Sequence, residues 1–156
     1  MEYISVVIIT NNEEQNIGRC LESVKTIADE IVVVDSGSID ATQEICKKYN
    51  VRFISNEWMG YVDTKNFAIQ QTTHDLILSL DADEALSEEL KTSILNIKRQ
   101  PTLDGYTMNR LTNYCGQWIR HGGWYPDKKL RFFNKNKGVW SGVDIHEYVV
   151  MDKNSS

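Results

Sequence analysis

No stretch of this 156-residue chain stays apolar for long. Its longest aliphatic runs, ISVVIIT and EIVVVD, fall far short of the roughly 20 residues that span a bilayer. They are strand-sized. Cysteine is scarce too: Cys20, Cys46 and Cys115 are odd in number and far apart, which argues against a disulfide framework or a cysteine metal site. All three read as reduced thiols, two of them in helix interfaces. The N-terminus MEYISVVIIT lacks a basic leader and a cleavage site, so a cytoplasmic location is expected. No G-x-G-x-x-G follows the first apolar run and no Walker A sequence occurs, which removes the main support for a nicotinamide, flavin or P-loop site. The segment IHEYV is not a zinc-protease motif, because Val150 stands where a second histidine is needed.

What is present is the composition of one soluble globular domain, 41% hydrophobic and 25% charged. The net charge of −5 is unevenly spread: residues 1–100 hold 9 Lys/Arg against 17 Asp/Glu, residues 101–156 hold 8 against 5. The basic third also carries most of the tryptophan, but a pI near 5.2 argues against a nucleic-acid partner.

Strand and helix patterns alternate through residue 100. SVVIIT reads as a strand covered on both faces; Asn12 with Gln15 suggests a capping box, and Ile17, Cys20, Leu21 and Val24 recur at helical spacing. EIVVVD is the second strand, followed by Asp40 and Gln43 as helix cap signals; VRFIS is the third, and a helix spans about Val62 to Gln71. DLILSL is the fourth, with Ser87 capping the helix after it. The expectation is an α/β three-layer sandwich with a mostly parallel central sheet. After Pro101, GYTMNRLTNY and KLRFFNK read as antiparallel strands around a Gly- and Trp-rich loop, CGQWIRHGGWYPD. Residues 1–150 are expected as one domain, and residues 151–156 as a disordered tail.

The fourth strand runs into Asp81, Asp83 and Glu84. In a parallel sheet ligands bind beyond the carboxyl ends of the strands, where residues i and i+2 of an extended segment point the same way. Two carboxylates flanking Ala82 therefore suit a hard cation, Mn²⁺ or Mg²⁺, with positions left for phosphates. The alternative is an acidic first helical turn favoured by the helix dipole. Thr10, Asn12, Glu13, Asp35 and Ser36 end the first two strands along the same rim and suggest a lined pocket.

VVIITNNEEQNI, EIVVVDSGSIDAT, GYVDTKNFAI and LSLDADEAL, in this order and spacing, resemble the inverting family 2 glycosyltransferases with the A-type nucleotide-sugar fold. GGWYPDKKLRFF and DIHEY resemble the branch containing lipopolysaccharide core β-glucosyltransferases. The resemblance implies a Rossmann-like donor half in residues 1–100 and an acceptor half in 101–150. It implies that Asp81, Ala82 and Asp83 form the D-x-D motif holding metal and donor diphosphate, that Thr10, Glu13 and Asp35 lie around base and ribose, and that Lys65 faces the nucleotide. Relatives often carry an aromatic residue after the first-strand threonine, where this chain has Asn11. Glu147 is preferred as general base, with Asp127 as the other candidate. His146 is either a ligand of metal or phosphate, or a surface histidine. Trp118, Arg120, Trp124 and Tyr125 are acceptor contacts or, for the tryptophans, a small core; Lys128 and Lys129 suit an acidic glycan or lipid headgroup.

The activity implied is metal-dependent transfer from a nucleoside-diphosphate sugar, a UDP-sugar, to a saccharide or glycolipid acceptor in cell-surface polysaccharide synthesis, with peripheral contact at the inner membrane face. Relatives run longer, so the acceptor half is expected to be cut short. The other readings are a non-catalytic nucleotide-sugar or glycan-binding module and, more remotely, a nucleotidyltransferase.

Overall fold

A computed structural model describes residues 1–143 and 145–156. Strands β1 (Ile4–Thr10), β2 (Glu30–Asp35), β3 (Arg52–Ser55) and β4 (Leu76–Asp81) alternate with helices α1 (Ile17–Val24), α2 (Thr42–Cys46), α3 (Tyr61–Gln70) and α4 (Glu88–Arg99). The C-terminal third adds β5 (Gly105–Arg110), β6 (Thr112–Tyr114), β7 (Gln117–Ile119), β8 (Asp127–Asn134), β9 (Gly138–Ser141) and β10 (Tyr148–Met151). One six-stranded sheet has the order β3-β2-β1-β4-β8-β5, in which β8 runs against both its neighbours. Two antiparallel ribbons, β6-β7 and β9-β10, complete the chain. This is the mostly parallel α/β architecture expected, with antiparallel strands near the C-terminus.

Every residue of β1 is buried because helices cover both faces of the sheet. Val6 and Ile8 pack with the α1 residues Ile17, Cys20, Leu21 and Val24 in one layer. Val7 and Ile9 pack with Ala68 and Ile69 of α3, and with Phe133 and Trp140, in the other. The period-two alternation of a strand thus splits one aliphatic run between two cores. Each fully buried aliphatic side chain contributes about 1.5–3 kcal/mol.

Several expectations are corrected. The helix after β1 begins at Ile17, so Asn12 and Gln15 form no capping box. Asn12 has φ 53° and instead ties two loops together: its N–H donates to Ser38 Oγ (2.8 Å), and Ile39 N–H donates to its Oδ1 (2.9 Å). Asp40 lies just ahead of α2 and accepts from the Thr42 N–H and hydroxyl. Ser87 does cap α4, accepting from Leu90 N–H (3.2 Å). GYTMNRLTNY is not one strand; it breaks after Arg110, and β6 turns back on β7 inside the segment expected as a loop. The turn residues Cys115 and Gly116 both have positive φ, 48° and 80°, as a two-residue hairpin requires. The last residues are not a loose tail: Met151 belongs to β10, and Asp104 and Ser156 exchange backbone and side-chain hydrogen bonds.

Cys20 and Cys46 are buried and Cys115 is exposed. Burial and the nearby Asp35 push the Cys46 thiol up to about 11, and burial with Glu84 and Asp83 raises Cys20 further. Alkylation depends on the thiolate. Iodoacetamide near pH 8 should therefore label only Cys115 in the native protein and all three cysteines in denaturant, as read by peptide mass spectrometry. Rapid native labelling of Cys20 would contradict this packing.

Candidate active site

Register brings the ends of three strands together: Thr10 pairs with Asp35, and Ile9 with Asp81. The chain order reverses at β1, with β2 on one side and β4 on the other, which opens a crevice beyond their carboxyl ends. The crevice is a cleft of ≈ 690 Å³. Its wall contains Thr10, Asn11 and Glu13 after β1, Ser36 after β2, and Asp81, Ala82 and Asp83 after β4. Among the described residues Thr10 Oγ1 and Ser36 Oγ are buried without a protein hydrogen-bond partner, so this wall has polar groups free to bond a ligand or water.

Two residues unforeseen from sequence complete the cleft. Trp58, 50% exposed, and Tyr61 line it in an edge-to-face pair with ring centroids 4.8 Å apart. Gly60, with φ 90°, lets the chain turn between them. Trp58, in the segment between β3 and α3, and Tyr61, the first residue of α3, thus give the cleft the aromatic surface that Asn11 does not. The visible signal was Trp58 beside a glycine in a polar loop.

Other expected residues take different positions. Asp35 is buried, and its carboxylate is committed to the turn after β2: Oδ2 accepts from Gly37 N–H (3.1 Å) and Ser38 N–H (3.0 Å), and Oδ1 from the Ser38 hydroxyl. Lys65 does not face the cleft. It is 1% exposed, with Nζ 2.9 Å from Asp81 Oδ1 and 2.8 Å from Glu147 Oε1, and 4.4 Å from the Trp140 ring centroid. Asn66 holds that ring in place by pairing both backbone groups of Trp140.

From this ammonium a chain of ion pairs runs outward. Arg131 bridges Asp81 (3.1 Å) and Glu84 (3.3 Å); Arg110 lies 3.9 Å from Glu84 and 2.8 Å from Asp127; Lys129 lies 3.1 Å from Asp127. The acidic strand end is therefore paired, with cations that come from α3 and β8. Burial opposes ionisation of Asp81, but Lys65 and Arg131 outweigh it and hold its carboxyl below the usual range. Burial raises Glu84; Arg131 opposes the rise and Asp81 and Asp83 add to it. For Glu147 burial is likewise outweighed, chiefly by the bond from Lys65, so its carboxyl is lowered.

A second cleft of ≈ 340 Å³ lies on the C-terminal side, with Glu147 and His146 in its wall. Gly142 closes under this loop, where a Cβ would stand 2.7 Å from the His146 carbonyl oxygen. Asp127 is fully engaged by Arg110 and Lys129, and burial is outweighed by these cations, which lower it. Trp118 and Trp124 are both more than half exposed, so neither forms a core; Arg120 is exposed and Tyr125 partly covered.

Among the described residues no group of three or more His, Cys, Asp and Glu is gathered to hold a metal, so Asp81, Asp83 and His146 do not form one cluster. Asp83 extends from the turn after β4 rather than from the strand, exposed at the mouth of the first cleft, with no ion-pair partner among the described residues. A hard divalent ion held by one or two carboxylates plus substrate phosphates fits that donor set.

The family model for Glycosyl transferase family 2 matches residues 5–154. The chain is 43% identical over 159 residues to an uncharacterized glycosyltransferase of Rickettsia prowazekii (strain Madrid E), covering 98% of this chain and 54% of that protein. It is 31% identical over 169 residues to the lipopolysaccharide core biosynthesis glycosyltransferase LpsC of Rhizobium meliloti (strain 1021), covering 97% and 58%. It thus spans about half the length of the curated relatives it matches. S. aureus TarS in complex with UDP shares the fold with a TM-score of 0.59 at 27% identity, over 76% of this chain and 38% of TarS.

Removing one partner from a buried ion pair costs about 3–5 kcal/mol, because the remaining charges stay desolvated. Lys65→Met should lose stability of that order at neutral pH, measured by urea unfolding. Asp81 and Glu147 have lowered folded-state pKa values, so their stabilisation is present above the unfolded values near 4 and is lost as pH falls through the folded ones. The gap between parent and variant should therefore close in acid. An equal gap at all pH values would remove the electrostatic assignment.

Proposed function

The chain belongs to Glycosyl transferase family 2, and we propose that it transfers a hexosyl group from a nucleoside-diphosphate sugar to a hydroxyl of a saccharide or glycolipid, with inversion. The donor occupies the first cleft and the acceptor the second. One observation carries this reading: the Lys65 ammonium bridges Asp81, on the wall of the first cleft, and Glu147, on the wall of the second. Every residue named in the first cleft lies at or before Asp83, and every one in the second at or after Arg110, which supports a donor half in residues 1–100 and an acceptor half in 101–150.

In the reaction the acceptor oxygen attacks the anomeric carbon as the bond to the donor phosphate breaks. The nucleoside diphosphate leaves with the bonding electrons, and Glu147 takes the hydroxyl proton. Glu147 suits this role because it is ionised, held by Lys65 and open to the second cleft. Asp127, with both oxygens engaged by cations, shapes the acceptor side instead. Asp83 would hold Mn²⁺ or Mg²⁺ together with the donor phosphates. Such an ion stabilises charge on a leaving diphosphate. Trp58 and Tyr61 offer the base an aromatic face, while Thr10, Glu13 and Ser36 offer it and the ribose polar contacts.

The LpsC likeness supports a role in cell-surface polysaccharide synthesis, and the likeness to TarS in complex with UDP supports a UDP-sugar as donor. Among the described residues no helix is long and apolar enough to cross a membrane. Exposed Trp118 and Trp124 beside Arg120 suit contact with the headgroup region that presents a glycolipid.

Glu147→Gln should reduce turnover on the order of 10²-fold or more with donor affinity little changed, and Asp127→Asn should cost less. A dead Asp127→Asn with a live Glu147→Gln would reverse the two roles. Donor binding is tested separately by calorimetry with UDP-sugars. Asp83→Asn should abolish the enhancement by Mn²⁺, and Trp58→Ala should weaken binding by about 1–3 kcal/mol, the range for base–aromatic stacking. Asp83 is the cleaner test than Asp81, whose removal would take one carboxylate partner from each of two buried cations. Tight donor binding without transfer to any acceptor would favour the non-catalytic module.

A further inference from the structure

Among the described residues the second cleft is lined by four Lys/Arg side chains, Arg110, Lys128, Lys129 and Arg131, and by one carboxylate, Glu147. Arg110, Lys129 and Arg131 stand in its wall with Glu147, and the charge of Glu147 is already met by the buried Lys65 behind it. Arg110 and Lys129 pair with Asp127, Arg110 also lies near Glu84, and Arg131 is shared by Asp81 and Glu84, while Lys128 has no ion-pair partner among the described residues. Lys129 and Arg131 both line the cleft from β8, whose pairing with β5 shifts register at Arg131. Two further donors lack acceptors among the described residues: Arg131 Nη1 and Trp140 Nε1 are buried without a hydrogen-bond partner there, in residues only 5% and 3% exposed. Both residues line the cleft. A buried N–H left unsatisfied is destabilising, so this wall favours a ligand rich in acceptor oxygens.

From these observations we propose that the acceptor is an anionic sugar, bearing a phosphate or carboxylate group that the second cleft holds through Arg110, Lys129 and Arg131. Guanidinium and ammonium groups together suit either anion, since both present several oxygens to charge-assisted hydrogen bonds. The cleft volume of ≈ 340 Å³ admits little more than one sugar unit with its charged substituent. Anion binding there would orient the acceptor so that a hydroxyl reaches Glu147, and would disfavour neutral glycans, which bring no charge to this basic wall. This inference rests on the reading that the second cleft is the acceptor site.

The test is NMR titration of the isotope-labelled chain at constant ionic strength with glucose 6-phosphate, glucuronate and glucose, following the indole N–H signals of Trp140 and Trp58. The charged sugars should shift Trp140 saturably and bind at least about tenfold more tightly than glucose, a difference one charged hydrogen bond supplies. Whichever charged sugar binds more tightly identifies the anion. In the variant Arg110→Gln with Lys129→Gln the preference should fall toward one. If that variant fails to fold, the parent titration decides. Glucose acting on Trp140 as strongly as the charged sugars overturns the proposal, as do charged sugars that move only Trp58. UDP is titrated into the same sample to keep the two readings apart. A UDP response at Trp58 with no charged-sugar response at Trp140 sinks this inference and spares the donor site. The opposite pattern spares the inference and sinks the donor site.

Discussion

A single buried ammonium organises the centre of this molecule. Lys65 leaves water only because Asp81 and Glu147 each supply a carboxylate within 3 Å and the Trp140 ring closes over it. Burying a charge costs several kcal/mol unless partners and hydrogen bonds replace its hydration, so each of the four groups constrains the others. Asp81 needs a second cation as well, and β8 provides Arg131. Such a cluster is weak evidence for stability. Its consequence is geometric: the ends of α3, β4 and β8 and the loop before β10 are held in one relation.

That relation depends on strand order. The parallel half, β3-β2-β1-β4, places its polar strand ends on one rim and reverses its winding at β1, which leaves the crevice. β8 then pairs with β4 in the opposite direction, with Leu78 opposite Phe132. Arg131, one residue earlier on β8, is thereby carried up beside the acidic end of β4. Had β8 run parallel to β4, its basic start would lie at the far end of the sheet and Asp81 would be left without its second cation. The antiparallel insertion joins the basic third of the chain to the acidic rim.

The acidic strand end looked like a metal site from its own residues, and only part of that reading carries over to the folded site. Asp83 remains exposed at the mouth of the first cleft, whereas Asp81 is held between two cations. The strand ends at Asp81, so the i, i+2 geometry that would aim both carboxylates at one ion does not apply. Asn12 and Asp35 were legible as polar rim residues, but they tie the rim loops together. Trp58 and Tyr61 carried no periodic signal because they lie in and after an irregular loop, where position depends on backbone turns such as that at Gly60.

The order of the first four strands, the two-faced burial of β1, the helical faces and the acidic rim were written in local pattern, because burial on both sides demands continuous apolar runs and helices demand a 3.6-residue spacing. The family resemblance carried the candidate residues as far as their identities. Tertiary structure alone decided which charges meet. Lys65 and Glu147 lie 82 residues apart, and Asp81 and Arg131 are separated by 50. Nothing in the neighbourhood of any of them specifies its partner. Long-range ion pairs follow from strand order and direction, and those follow from how the whole chain hides its apolar faces.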